Sequence, residues 1–177
     1  MKYRDALKRI RLVRGAKNIL VTGPQRSGTT ITARILAYDL GLDYVDEDDV
    51  GWIGASENDS EELYRILENE EGKVIQAPAC AHISHKLPDT TVVVFCIRDP
   101  KDIIASQERI GWELECVELK KYPEDYRAQP IAKTKYAYWE DVQRSQTKHW
   151  FEIEYESLRG HFLWRGWRDD FGARQWK

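Results

Sequence analysis

The stretch Gly23-Pro24-Gln25-Arg26-Ser27-Gly28-Thr29-Thr30 constrains this chain more than any other. A short β-rich run, Asn18 to Thr22, stops at Gly23. From Thr30 to Leu40 the apolar residues Ile31, Ile35, Leu36 and Leu40 then return at helical spacing. A strand that passes through a tight loop with two glycines into a helix aims backbone N–H groups, and the positive end of the helix dipole, at one point. Such a point receives a phosphate group without many side chains. The plainer reading is an ordinary glycine turn ahead of a helix. The hydroxyls of Ser27, Thr29 and Thr30 and the cation of Arg26, all within one loop, argue against it.

The remaining periodicity supplies the sheet from which such a loop hangs. Residues 4–14 predict a short amphipathic helix with a solvated basic face, and Gly41 stops the helix that follows the loop. A strand over Leu42 to Val45 leads into the acidic cluster Asp46-Glu47-Asp48-Asp49. A helix over 59–69 and a strand over 73–76, closed by Pro78, come next. Thr90 to Ile97 is apolar almost throughout, the mark of a strand covered on both faces. Asp99 and Pro100 suit the cap and first position of a helix reaching about residue 110. A helix from Pro130 to Gln146, a strand over 150–153, a helix over 155–163 and an aromatic, basic tail complete the chain. Strands alternating with helices predict a three-layer α/β architecture, a P-loop fold with a mostly parallel central sheet flanked by helices and ligand at the carboxyl ends of the strands. At 177 residues, one domain spanning 1–177 is expected.

Composition narrows the function classes. A net charge of −3 removes the global attraction to polyanions expected of a nucleic-acid binder, so any anion site is local. No apolar run is long enough to cross a bilayer, which argues against a membrane partner, and Met1 to Arg14 alternates basic and apolar residues unlike a secretory leader. The expected compartment is therefore the cytoplasm. Three cysteines, Cys80, Cys96 and Cys116, cannot all pair in one chain, and Cys96 lies in a strand, which fits a reducing environment. Cys80, His82 and His85 invite a zinc reading, but no second ligand cluster stands at the required spacing, so no metal site is expected. Trp164, Trp167 and Trp176 stand among Arg165, Arg168 and Arg174; packing over a sheet edge is the common use of such tryptophans.

A loop that holds a nucleoside triphosphate ends in Gly-Lys-Ser/Thr, because the lysine reaches the outer phosphates and the hydroxyl holds magnesium. Here Thr29 takes the lysine position, and the loop's cation is Arg26. The ending Arg-Ser-Gly-Thr-Thr resembles the 5′-phosphate loop of the PAPS-dependent sulfotransferases, whose members carry Lys or Arg before Ser-Gly-Thr-Thr. Arg98-Asp99-Pro100-Lys101-Asp102-Ile103-Ile104-Ala105-Ser106 is similar to that family's 3′-phosphate motif, an arginine at a strand end with a serine eight residues on. Ile153-Glu154-Tyr155-Glu156-Ser157-Leu158 resembles a late segment of the same family. The resemblance implies PAPS as donor and PAP as product, with no metal required. It implies that Gly23, Pro24, Gln25, Arg26, Ser27, Gly28, Thr29 and Thr30 surround the 5′-phosphate, with Arg26 spanning phosphate and sulfuryl group. It further implies that Arg98 and Ser106, with Arg174 as a late addition, grip the 3′-phosphate.

Sulfuryl transfer builds charge on the departing phosphate, so positioned cations and hydroxyl donors carry the catalysis, and the acceptor hydroxyl or amine needs a base. Many cytosolic members of the family keep Lys-Thr-His after the third strand, where this chain has Gln76-Ala77-Pro78. Glu47, after the second strand, is the best-placed substitute, and His82 is the next candidate. A solvated acidic turn and an ordinary polar helix position are the plainer readings of these two. The acceptor, whether small molecule, glycan or protein, is not encoded in any motif, because acceptor pockets are built from variable loops. A magnesium-dependent nucleotide or small-molecule kinase, using the carboxylates at 46–49, and a catalytically silent nucleotide-binding protein are the competing readings.

Overall fold

A computed structural model describes residues 1–50, 60–111 and 115–165. The strands are β1 (Asn18–Thr22), β2 (Asp43–Val45), β3 (Lys73–Gln76), β4 (Thr91–Ile97) and β5 (Trp150–Glu154). They form one sheet in the order β2-β3-β1-β4-β5, and each neighbouring pair runs parallel. The helices are α1 (Tyr3–Ile10), α2 (Thr29–Leu40), α3 (Glu61–Asn69), α4 (Pro100–Arg109), α5 (Glu115–Leu119) and α6 (Ile131–Tyr138). The α/β class and the helix-flanked parallel sheet expected from the sequence are thus observed.

Alternation along the central strands explains the layers. Ile19 and Val21 of β1, with Val92, Val94 and Cys96 of β4, pack on one face against Tyr3, Ala6 and Ile10 of α1 and Ile31, Ile35 and Leu36 of α2. Leu20 and Ile75 point to the other face, against Leu63, Ile66 and Leu67 of α3. Val93 and Phe95 share that face with Trp139, whose ring stacks on Phe95 with centroids 4.4 Å apart. Each large apolar side chain so enclosed contributes about 1.5–3 kcal/mol. A one-residue slip of β4 would therefore exchange two complete sets of core contacts.

The helix ends follow the sequence signals. Gly41 adopts φ 67° beyond α2, and the Asp99 side chain accepts a 2.8 Å hydrogen bond from the Lys101 amide at the start of α4. Other segments depart from expectation. The amphipathic N-terminal helix ends at Ile10 rather than residue 14. Residues 155–163 do not form one α-helix: Tyr155–Leu158 is a 3-10 turn, because Ser157 Oγ donates to Glu154 O and accepts from the Tyr3 amide, tying the segment to α1. Pro78–Lys86 also winds as 3-10 helix. The helix after Pro130 widens into a π turn at Trp139–Gln143, where Gln143 is drawn inward to donate to Ala81 O. Asp59, the expected start of the third helix, and Trp167 and Trp176 of the tail lie outside the described residues.

Strand order fixes where a ligand crevice opens. From β1 the chain crosses to β2 on one side of the sheet, and from β4 it crosses to β5 on the other. β1 and β4 are neighbours, so their carboxyl ends flank the point where the connections diverge, which is where open α/β sheets bind ligands. The loop after β1 begins at Gly23, and the segment after β4 begins at Arg98. No described helix is long and apolar enough to cross a membrane.

Candidate functional site

Three left-handed residues shape the loop after β1. Gly23 has φ 133°, and a Cβ there would lie 3.1 Å from Cys96 O, so the loop leaves β1 in contact with the β4 backbone. Arg26 adopts φ 73°, the only left-handed non-glycine residue among those described, at a cost of about 1–2 kcal/mol. Gly28, at φ 93°, precedes α2. The Ser27 amide donates to Pro24 O at 3.0 Å, closing the turn. Backbone of this kind turns successive N–H groups toward one point. The first amides of α2, from Thr29 onward, have no acceptor within their own helix.

Arg26 and Arg98 converge on that point. Arg98 Nη1 donates to Arg26 O at 2.9 Å, and Arg26 Nε donates to Ser106 Oγ at 3.1 Å, so loop, strand end and α4 meet. The Arg98 guanidinium lies 4.5 Å above the centre of the Tyr155 ring. The Arg98 backbone is held by Tyr136, whose hydroxyl accepts from the Arg98 amide at 2.8 Å and donates to the Arg98 carbonyl at 2.9 Å. Tyr155 also packs over Gly28, where a Cβ would fall 2.2 Å from its ring. Arg26, Gly28, Thr29, Thr30, Arg98 and Tyr155 are among the residues lining one open pocket of about 120 Å³. At about 10–15 Å³ for each water, that space admits a tetrahedral anion and part of what carries it.

The electrostatics of this pocket favour an anion. Burial, followed by the nearby charge of Arg98, lowers the Arg26 pKa from its ordinary value. Among the described residues neither arginine forms an ion pair with a carboxylate. Arg98 Nε and Ser27 Oγ are buried and have no hydrogen-bond partner there. Two half-buried like charges beside the positive end of a helix constitute an unfavourable arrangement that a bound phosphate reverses.

The other expected site residues fall in different places. Ser106 is buried on α4 beside Arg26, and Pro24 holds the turn. The Gln25 side chain points away from the pocket, into contact with Glu118 and Lys135, which leaves only its backbone for a ligand. Glu47 follows β2, the edge strand two places from β1, or about 10 Å along the sheet. It does not line the pocket of the two arginines, although it stands on the same carboxyl edge. Burial first, then the charge of Asp46, pushes its carboxyl up to about 7, while a hydrogen bond with Gln76 pulls the other way. Gln76 in turn lies 2.9 Å from the Tyr44 hydroxyl, which is 2.6 Å from Asp46.

His82 is held in the 3-10 segment after β3, with Nδ1 3.1 Å from Ala79 O and its ring edge-on to Tyr122. Burial, with Lys121 adding, pushes its pKa down to about 4, so it is neutral near pH 7. Among the described residues no group of His, Cys, Asp and Glu is arranged to hold a metal ion, and Cys80 and Cys96 are buried. Arg174 lies outside the described residues.

Two features escaped the sequence reading. Tyr155 stood within a quoted motif, but only the fold carries its ring to Arg98 and Gly28. The second is a buried ion pair, Lys135 Nζ to Glu118 Oε2 at 2.6 Å, with side chains 1% and 2% exposed. Burial lowers the Lys135 pKa, and the charge of Glu118 opposes the shift. A faint signal existed, since Lys135 lies midway between Ile131 and Trp139 at four-residue spacing, a cation on an otherwise apolar helical face. No family model matches the chain, and no curated protein matches it.

Proposed function

We propose that this chain folds as a P-loop domain and transfers a sulfuryl group from PAPS to a hydroxyl or amine acceptor. The observation that carries the reading is the convergence of Arg26 and Arg98, without carboxylate partners among the described residues, on the head of α2 in one pocket. The Arg98–Ser106 spacing agrees with it, since Arg26, Arg98 and Ser106 form one connected cluster that can grip a second phosphate close to the first. A bisphosphate explains two guanidinium groups better than a single phosphate does.

In the reaction, the acceptor oxygen or nitrogen forms a bond to sulfur in line with the departing oxygen, and the bond between sulfur and the 5′-phosphate oxygen breaks. The electron pair stays on the phosphate of the leaving 3′-phosphoadenosine 5′-phosphate. Arg26, the amides at the head of α2 and the hydroxyls of Thr29 and Thr30 stabilise that charge. Glu47 is the proposed recipient of the acceptor's proton: it stands on the same carboxyl edge of the sheet though outside the arginine pocket, so an acceptor must extend toward β2 to reach it, and burial raises its carboxyl to about 7. His82, neutral with a depressed pKa, is the poorer base.

The kinase reading is weaker, because Thr29 replaces the lysine that neutralises a transferring γ-phosphoryl group. A silent bisphosphate-binding protein is favoured by one feature, the Gln76-Ala77-Pro78 run at the end of β3. Thermal-shift titration separates the three. Stabilisation by 3′-phosphoadenosine 5′-phosphate in EDTA is expected, reaching about 2.7 kcal/mol at a hundredfold excess over Kd. Stabilisation only by ATP with magnesium would replace the reading with the kinase. Bisphosphate binding without sulfuryl turnover over a broad acceptor panel would leave the silent protein.

A further inference from the structure

Behind the loop lies a charged cluster to which the proposed chemistry assigns no role, although the Lys135 charge pulls the Glu47 carboxyl down slightly. Lys135 Nζ donates to Gln25 Oε1 at 2.5 Å and to Pro78 O at 3.0 Å, and meets Glu118 at 2.6 Å. Glu118 Oε1 accepts from Gln25 Nε2. The Gln25 amide is therefore oriented uniquely, with oxygen toward the ammonium and nitrogen toward the carboxylate. Its backbone is held as well, since Gln107 of α4 donates to Gln25 O at 3.3 Å.

A buried ion pair contributes little net stability compared with apolar residues of similar size, so fold stability alone does not account for this one. What an apolar pair lacks is the means to fix a side-chain amide. The residue after Gln25 is Arg26, held left-handed and oriented toward Ser106. We infer that Lys135 and Glu118 are positioning residues: through the Gln25 amide they hold the loop from Pro24 to Gly28 in the conformation that receives an anion. The inference rests on the loop being the anion site of the proposed function. It also accounts for a cation brought from α6 to the end of β3.

The test removes both charges together, in Lys135→Met/Glu118→Met, so that neither is left buried alone, with Gln25→Ala as a second and milder variant. Amide hydrogen exchange reads the loop without any ligand. Exchange of the loop amides over 25–28, the Ser27 amide that donates to Pro24 O among them, should rise about tenfold in both variants while β4 and the body of α2 stay protected. Adding Gln25→Ala to the double variant should produce no further rise, because the three side chains act as one unit. Affinity for 3′-phosphoadenosine 5′-phosphate should fall about tenfold in parallel. Loop exchange at wild-type rates in the double variant, or exchange raised uniformly across the sheet, would overturn the inference. Failure of the wild-type protein to bind the bisphosphate would strike the proposed function instead, and the exchange result would still decide this point.

Discussion

Replacing Gly28 by Ala tests the loop where two independent constraints coincide. Its backbone sits at φ 93°, and an added methyl would lie 2.2 Å from Cδ2 and 2.5 Å from Cε2 of Tyr155. A non-glycine residue in left-handed conformation costs about 1–2 kcal/mol. Forcing a methyl into a filled site costs a further ~1–3 kcal/mol. Together they predict a loss of about 2–5 kcal/mol, or roughly 5–15 °C in Tm for a chain of this size. The clash cannot be relieved cheaply, since the Tyr155 ring is also fixed by Arg98 at 4.5 Å and by Trp164 at 4.5 Å between centroids. Urea unfolding of the two single variants and of Gly28→Ala/Tyr155→Ala separates the parts. In the Tyr155→Ala background the alanine should cost only the backbone strain, about 1–2 kcal/mol. Equal costs in both backgrounds would refute the steric argument, and a cost below about 1 kcal/mol in the wild-type background would refute both.

Arg26→Gly should separate stability from binding. The glycine relieves the left-handed strain and the repulsion with Arg98 but forfeits the hydrogen bond to Ser106, so the apo protein should shift by less than about 1 kcal/mol in urea. Calorimetry should show bisphosphate affinity falling by about 2 kcal/mol or more, since charged hydrogen bonds are lost, and intact binding would remove Arg26 from the site. Glu47 yields a pH prediction. Its folded pKa, about 7, exceeds the ordinary 4.5, so the folded protein holds this proton more tightly. Stability from the group is therefore full below 4.5 and falls as pH rises toward 7. Glu47→Gln should flatten that slope and exceed wild type at pH 8 by about 1–3 kcal/mol in urea midpoints compared at pH 5 and pH 8. A wild-type advantage at pH 8 would mean that the carboxyl is held ionised.

Much of this architecture follows from local rules. Continuous burial of β4 was legible because a strand covered on both faces needs apolar residues at successive positions, and Val92–Ile97 supplies them. The strand-loop-helix unit was legible because Gly23 and Gly28 are the residue type that left-handed backbone requires, and Asp99-Pro100 because caps are local chemistry. Elements with weaker local signals were misjudged where distant partners won. The segment after β5 carries helical periodicity, yet Ser157 is taken by the Tyr3 amide, a contact that no window of neighbouring residues contains.

The sequence by itself determined which residue types were on hand to hold an anion: a glycine loop, hydroxyls, and arginines at two strand ends. Tertiary structure alone decided that Arg26 and Arg98 share one pocket, because only the β1–β4 pairing brings their loops together. It also decided that Gln25 faces inward to Lys135 and Glu118, and that Glu47 stands two strands from Arg26 and three from Arg98 rather than beside them. The physical reason is that backbone preferences act over a few residues, whereas charge proximity and burial depend on which strands become neighbours.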